Sequence, residues 1–173
     1  RIQKGVEKKQ EASALSVTQD KTMVIFSGDL DKAIAAFIIA NGAASMGHKV
    51  TMFFTFWGLN ILRKNDPPKV KKNLIEHMFG FMMPRGADKL ALSKMHMAGM
   101  GSAMIKGIMK KKNVYSLPVM IQMARENGVI IQACQMSMDL MGIKKEELLD
   151  GIDNVGVATF IHASDESNAT IFI

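Results

Sequence analysis

The chain has 173 residues, 48% apolar and 22% charged, the balance of a soluble globular protein and enough for one domain with a buried core. Its single cysteine, Cys134, excludes an intramolecular disulfide, no Cys/His spacing suits zinc, and a lone thiol fits a reducing, cytoplasmic compartment. The net charge of +6 is unevenly placed: residues 63–112 hold 12 of the 22 Lys/Arg against three acids, Asp66, Glu76 and Asp88.

In chain order, residues 1–20 (RIQKGVEKKQEASALSVTQD) read as a polar tail or linker end. They contain no apolar signal-peptide region and no initiating Met, as expected of a chain trimmed or cut from something longer. Residues 21–173 read as a single domain. TMVIFS (22–27) is short, β-branched and aromatic, a buried strand. In GDLDK, Ser27 or Asp29 is placed to cap the next helix, Leu30–Met46, which is apolar on most sides and stops at Gly47. VTMFFT (50–55) is a second buried strand, FWGLNILRK starts a second helix, and Pro67-Pro68 ends the unit. Strand, helix, strand at this spacing is a crossover unit with parallel strands. The uncharged stretches Ala33–Gly47 and Val50–Leu62 run for 15 and 13 residues, short of the roughly 18 that a membrane span needs.

The stretch 69–113 breaks the alternation. Eight of the 16 methionines lie between residues 78 and 109. KLALS is read as a short strand and the remainder as Gly-punctuated helices. Methionine fills irregular apolar gaps and adaptable surfaces, so these residues are expected in the core or a subunit interface, ahead of a substrate-gripping surface. Alternation then resumes. SLPVMIQMAREN (116–127) is a helix with Pro118 in its first turn and Gly128 as its stop. VIIQAC is a strand, MSMDLMG a short helix, KKEELLD a helical turn or two, VGVATFIHASDES a helix and ATIFI a closing strand. The class is α/β, with a largely parallel sheet of four to five strands.

Ligands of open parallel sheets sit outside the carboxyl ends of the strands. Three such tips carry chemistry: Ser27-Gly28-Asp29, Phe56-Trp57-Gly58, and Cys134 followed by Gln135-Met136-Ser137. A thiolate is the reactive form of cysteine, and a helix start offers it N–H groups and partial positive charge. Met136, Ser137 and Met138 are expected to supply those amides, and Gly28, Asp29, Trp57 and Gly58 to line the same crevice. Free cysteine is also among the most buried residue types, so an inert packing role stays open on position alone. His48, His77, His96 and His162 form no metal-binding pair, and GMGSAM lacks the third glycine of a dinucleotide fingerprint. With no GxSxG and no Walker lysine motif either, no metal or cofactor is expected. The basic segment is a solvated face or a docking surface for an anionic partner. Nucleic acid fits it poorly, since Phe79 and Phe81 are its only aromatics.

Three blocks carry a resemblance: FSGDLDKAIAAFIIANGAASMGHKVTMFFTFWGLNILRK, FGFMMPRGADKLALSKMHMAGMGSAMIKGIMKKKNV and IIQACQMSMDLMGIKKEELLDGI. Together they resemble the DsrE/DsrF/DsrH-like family from about residue 21 to the end, most of all its DsrE-like branch. The resemblance implies a three-layer α/β/α fold, a homo-oligomer, and a strand-end cysteine that accepts sulfane sulfur as a persulfide and passes it on. Cys134 aligns with that cysteine, and Gly142-Ile143 with the turn after the short helix. Two departures stand out: Met141 occupies a position where sulfur-relay members carry Arg, and the basic, Met-rich stretch 69–113 is absent from the simplest members.

A dithiol oxidoreductase needs a resolving thiol, which this chain lacks, whereas a sulfur carrier needs one nucleophile. The expected function is therefore a persulfide-carrying sulfurtransferase acting through Cys134, with sulfur donors and acceptors (proteins or small sulfur compounds) as partners. The alternative is a non-catalytic module that binds an acidic partner or phosphate-bearing ligand at 63–112, with Cys134 as packing. Peripheral membrane contact through the same segment is a weaker third possibility.

Overall fold

β-branched and aromatic side chains favour a pleated, two-sided surface, and the runs read as strands form one. β1 (Lys21–Ile25), β2 (Val50–Phe54) and β3 (Ile130–Cys134) lie at its centre. β4 (Asp153–Val155) and β5 (Ala169–Phe172) form the edges, in the order β4-β3-β2-β1-β5. Every pairing is parallel. This computed structural model describes residues 19–173, so the expected tail lies, apart from its last two residues, outside the described residues.

Alternation gives the sheet two faces. Met23, Ile25, Met52, Phe54, Ile131 and Ala133 enter the main core. There they meet α1 (Leu30–Ser45) and α4 (Leu117–Glu126). The small side chains Ala33, Ala36 and Ala40 let α1 lie close to the sheet, with Phe37 against Phe54 at 6.0 Å between ring centroids. Asn41 ties the two helices together, its Nδ2 donating to the Met120 carbonyl at 3.0 Å. On the opposite face Phe53, Cys134 and Phe160 form a separate, smaller cluster. With helices on both sides, the expected three-layer α/β/α architecture is what the chain adopts.

Several local expectations are corrected. KLALS is not a strand: Ala87–Lys89 form a single 3-10 turn and the residues after it make no ladder. The Leu/Ala alternation there only imitates a strand, and Ala91 uses its carbonyl to accept from Leu30 N at 2.7 Å. FWGLNILRK forms a 3-10 helix, Phe56–Leu62, whose last five residues are buried. KKEELLD yields one 3-10 turn, Lys145–Glu147. Asp29 occupies the N-cap position of α1 without a side-chain capping bond, because its carboxylate is engaged by Lys32 and Ser27. The methionine-rich stretch does hold helices, α2 (Leu74–Met82) and α3 (Met100–Lys111). A core role fails for most of its methionines, however: Met83 is buried, but Met78, Met82, Met95, Met97, Met100 and Met104 are more than half exposed. No helix among the described residues is long and apolar enough to cross a membrane.

One buried ionic cluster ties the middle of the chain to its end. Arg63 is enclosed and donates to Glu147 at 3.5 Å, and Lys72 approaches the other Glu147 oxygen at 2.5 Å. Burial pushes the Glu147 carboxyl upward. The Lys144 backbone N–H, Lys72 and Arg63 more than offset that and hold it below its ordinary 4.5. Arg63 is lowered, first by burial, but a guanidinium is so basic that it stays charged. A depressed carboxyl stabilises the fold above its unfolded pKa and loses that contribution as pH falls through its folded one. Stability measured against pH should therefore decline below about 4.5. Glu147→Gln should flatten that decline and cost about 3–5 kcal/mol at neutral pH by stranding Arg63. A variant as stable as the parent with an unchanged acid limb would contradict this.

Candidate functional site

Parallel pairing throughout brings the carboxyl ends of the strands to one edge of the sheet. The first two tips are stitched together by backbone. Gly58 N donates to the Phe26 carbonyl at 2.9 Å, and Thr55 N to that of Ile25 at 3.0 Å. Two glycines permit this approach: a Cβ on Gly58 would stand 2.1 Å from the Ile25 carbonyl oxygen, and one on Gly28 2.6 Å from that of Trp57. Above the seam lies a crevice of about 370 Å³, bordered by Phe26, Gly28, Asp29, Lys32 and Trp57. Asp29 is fixed by Lys32 Nζ at 2.8 Å, and its N–H donates to Ser27 Oγ at 3.2 Å. Trp57 stays half exposed over the opening.

The third tip is built differently. Cys134 ends β3 and occupies the N-cap position of α5 (Gln135–Met141), a helix of seven residues closed by Gly142 at φ 62°. Gly142 also presses on Glu76 of α2, which leaves no room for a side chain there. Ser137 is buried, and its hydroxyl shares a 2.7 Å hydrogen bond with that of Thr55, which joins the second tip to the third. Met138 belongs to the main core and Met136 faces solvent.

Cys134 itself is 4% exposed. Phe53 and Phe160 stack beside it with centroids 4.8 Å apart, and Val24 and Val155 complete its surroundings. Phe160 comes from α6 (Val157–Asp165), a helix of nine residues.

Of the residues singled out in the sequence, Gly28, Asp29 and Trp57 thus share one crevice, with Gly58 buried in the seam below it. Ser137 is joined to that seam through Thr55. Cys134 does not line the crevice; it lies in the small cluster with Phe53 and Phe160. Sequence reading missed Thr55, Phe160 and the enclosed Arg63–Glu147–Lys72 cluster. No local signal marks these, because Arg63 and Glu147 lie 84 residues apart and Thr55 and Ser137 lie 82 apart. Among the described residues no group of His, Cys, Asp and Glu is arranged to hold a metal ion.

A model of the DsrE/DsrF/DrsH-like family matches residues 18–172. The chain belongs to that family. This DsrE/DsrF/DrsH-like protein is similar to the uncharacterized protein YrkE of Bacillus subtilis, at 57% identity over 156 residues, covering 90% of this chain and 98% of YrkE. It is also similar to the sulfur carrier protein DsrE2 of Allochromatium vinosum, at 38% identity over 160 residues, covering 90% of this chain and 99% of DsrE2. The crystal structure of the ychN protein from E. coli shares the fold, with a TM-score of 0.51 at 9% identity over 89% of this chain and 99% of that one.

Proposed function

We propose that this DsrE/DsrF/DrsH-like protein carries sulfane sulfur as a persulfide on Cys134. Its kinship with a protein named a sulfur carrier supports the general role. The observation that carries the finer reading is the placement of the only thiol. It ends a strand at the carboxyl edge of the sheet, outside the main core, in a small cluster with Phe160 of one short helix.

The chemistry needs no oxidant. The Cys134 thiolate attacks a sulfane sulfur, the donor's S–S bond breaks, and its leaving group departs with the electron pair. Cys134 now bears Sγ–S⁻. An acceptor thiolate attacks the outer sulfur, and Cys134 leaves as thiolate, ready for another cycle. One nucleophile suffices. Because Cys134 is buried in the cluster that holds Phe53 and Phe160, loading requires that cluster to open locally. A nine-residue helix with Phe160 as its one buried residue is suited to such opening. The donors and acceptors are thiol or polysulfide species, in a compartment that keeps Cys134 reduced.

The burial of Cys134 favours a second reading, a binding module in which the thiol only packs. Mass spectrometry after incubation with polysulfide separates the two. A persulfide carrier gains about 32 Da on Cys134, reversed by a thiol, and Cys134→Ser gains nothing. A folded protein that stays unmodified, or a variant modified to the same extent, would contradict the carrier reading.

Self-assembly belongs to the same proposal. Leu74, Phe81 and Met82 on α2 are 86%, 87% and 74% exposed, which is costly for an isolated protomer and suits an interface between copies. Sedimentation should show a species heavier than the 19.0 kDa chain, and Phe81→Glu should shift it toward the monomer. A wild-type monomer at high micromolar concentration would refute this.

A further inference from the structure

The basic segment is more than a charged surface, because part of it closes around a cleft. The walls come from the loop after Pro67-Pro68, from α2, and from Arg85 and Glu147, and they enclose about 410 Å³. Lys69, Lys72, His77 and Arg85 line it, against the carboxylates of Glu76 and Glu147. Both carboxylates are already engaged: Glu147 by Arg63 and Lys72, Glu76 by Lys144 at 3.1 Å. Lys69 and Arg85 have no carboxylate partner among the described residues.

The cations converge on one point. The Gly80 carbonyl accepts from Arg85 Nε and Nη2, each at 3.3 Å, and from Arg63 Nη2 at 3.5 Å. Two guanidinium groups thus share one neutral oxygen. Their mutual repulsion is felt, for Arg85 lowers the pKa of Arg63 after burial has done so. Arg63 also keeps a buried Nε without an acceptor. Gly80 brings no side chain to the convergence: a Cβ there would make ordinary contacts, 3.5 Å from Lys72 Nζ, 3.9 Å from Arg63 Nη2 and 4.0 Å from Arg85 Nη2. Three cationic nitrogens gathered at the wall of a cleft, with Lys69 and Arg85 unanswered by any described carboxylate, is an arrangement that a multivalent anion satisfies.

We propose that this cleft is an oxyanion-binding site, in which Arg85, Lys72 and Lys69 take a tetrahedral oxyanion, either free or as the phosphate of a larger ligand. It narrows the basic-segment expectation from a surface to one site, and it does not depend on Cys134. The volume exceeds what one small anion fills, so the cleft has room for a ligand that carries the anion at one end.

The test is calorimetric titration with inorganic phosphate, thiosulfate and ADP at fixed ionic strength. Saturable binding is expected, weakened at least tenfold in Arg85→Gln and unchanged in Lys111→Gln, a cation on α3 outside the cleft. Gly80→Ala provides a second check, since its methyl makes only ordinary contacts and sits in a helix, so the variant should fold while blocking the anion's place. Tighter binding of ADP than of phosphate identifies a larger ligand, and equal or weaker binding identifies a free oxyanion; both support the site. No saturable binding by any of the three probes, or affinity unchanged in both folded variants, would overturn it.

Discussion

The period of two along β3 decides which side of the sheet the thiol serves, and the rest of the site follows from it. Ala133 points into the main core and Cys134 into the small cluster under α6. A slip of one residue would reverse them and seal the sulfur among the packed side chains of α1 and α4. The register is held by parallel ladders on both sides, from Phe54–Ala133 on one neighbour to Cys134–Val155 on the other. Those ladders also set the strand tips at one height, so that the Gly28–Trp57 crevice and the Ser137–Thr55 link share an edge with the thiol.

A second constraint is electrostatic. Enclosing Arg63 is expensive unless its charge is answered, and Glu147 answers it from 84 residues away. The pair clamps the chain after the first two strands to the turn that follows α5. It also gathers Lys72 and Arg85 into the same neighbourhood, where cations outnumber carboxylates. The stretch that departs from simple alternation therefore brings its own concentrated charge, beside a fold that the ychN protein shares at 9% identity. Its exposed apolar helix faces and its basic cleft are neighbours, since Gly80 belongs to both α2 and the cleft wall.

Much of the fold is legible because its signals are local. The runs of β-branched and aromatic residues mark β1, β2 and β3, Pro118 and Gly128 bracket α4, and Gly142 closes α5. β4 escapes because Asp153-Asn154-Val155 is short and polar and becomes a strand only by pairing with β3. KLALS misleads for the opposite reason, having a strand's pattern without a strand beside it. The site divides along the same line. The position of Cys134 at a strand-to-helix junction is readable from the sequence. Its burial in one cluster with Phe53 and Phe160 and its separation from the Trp57 crevice arise from packing between distant segments. Arg63 looks like one more surface cation until the fold encloses it.

Sulfur can reach Cys134 only if the cluster around it, with α6, yields without the whole protein unfolding. Alkylation of Cys134 in native protein, followed across low denaturant concentrations, measures this directly. Local opening predicts a labelling rate that barely changes with denaturant and an opening free energy well below that of global unfolding. Phe160→Ala should then speed labelling about tenfold or more, equivalent to about 1.4 kcal/mol of lost cover. Labelling that tracks global unfolding throughout, and is no faster in the folded variant, would mean that the sulfur is a packing atom and would contradict the carrier mechanism.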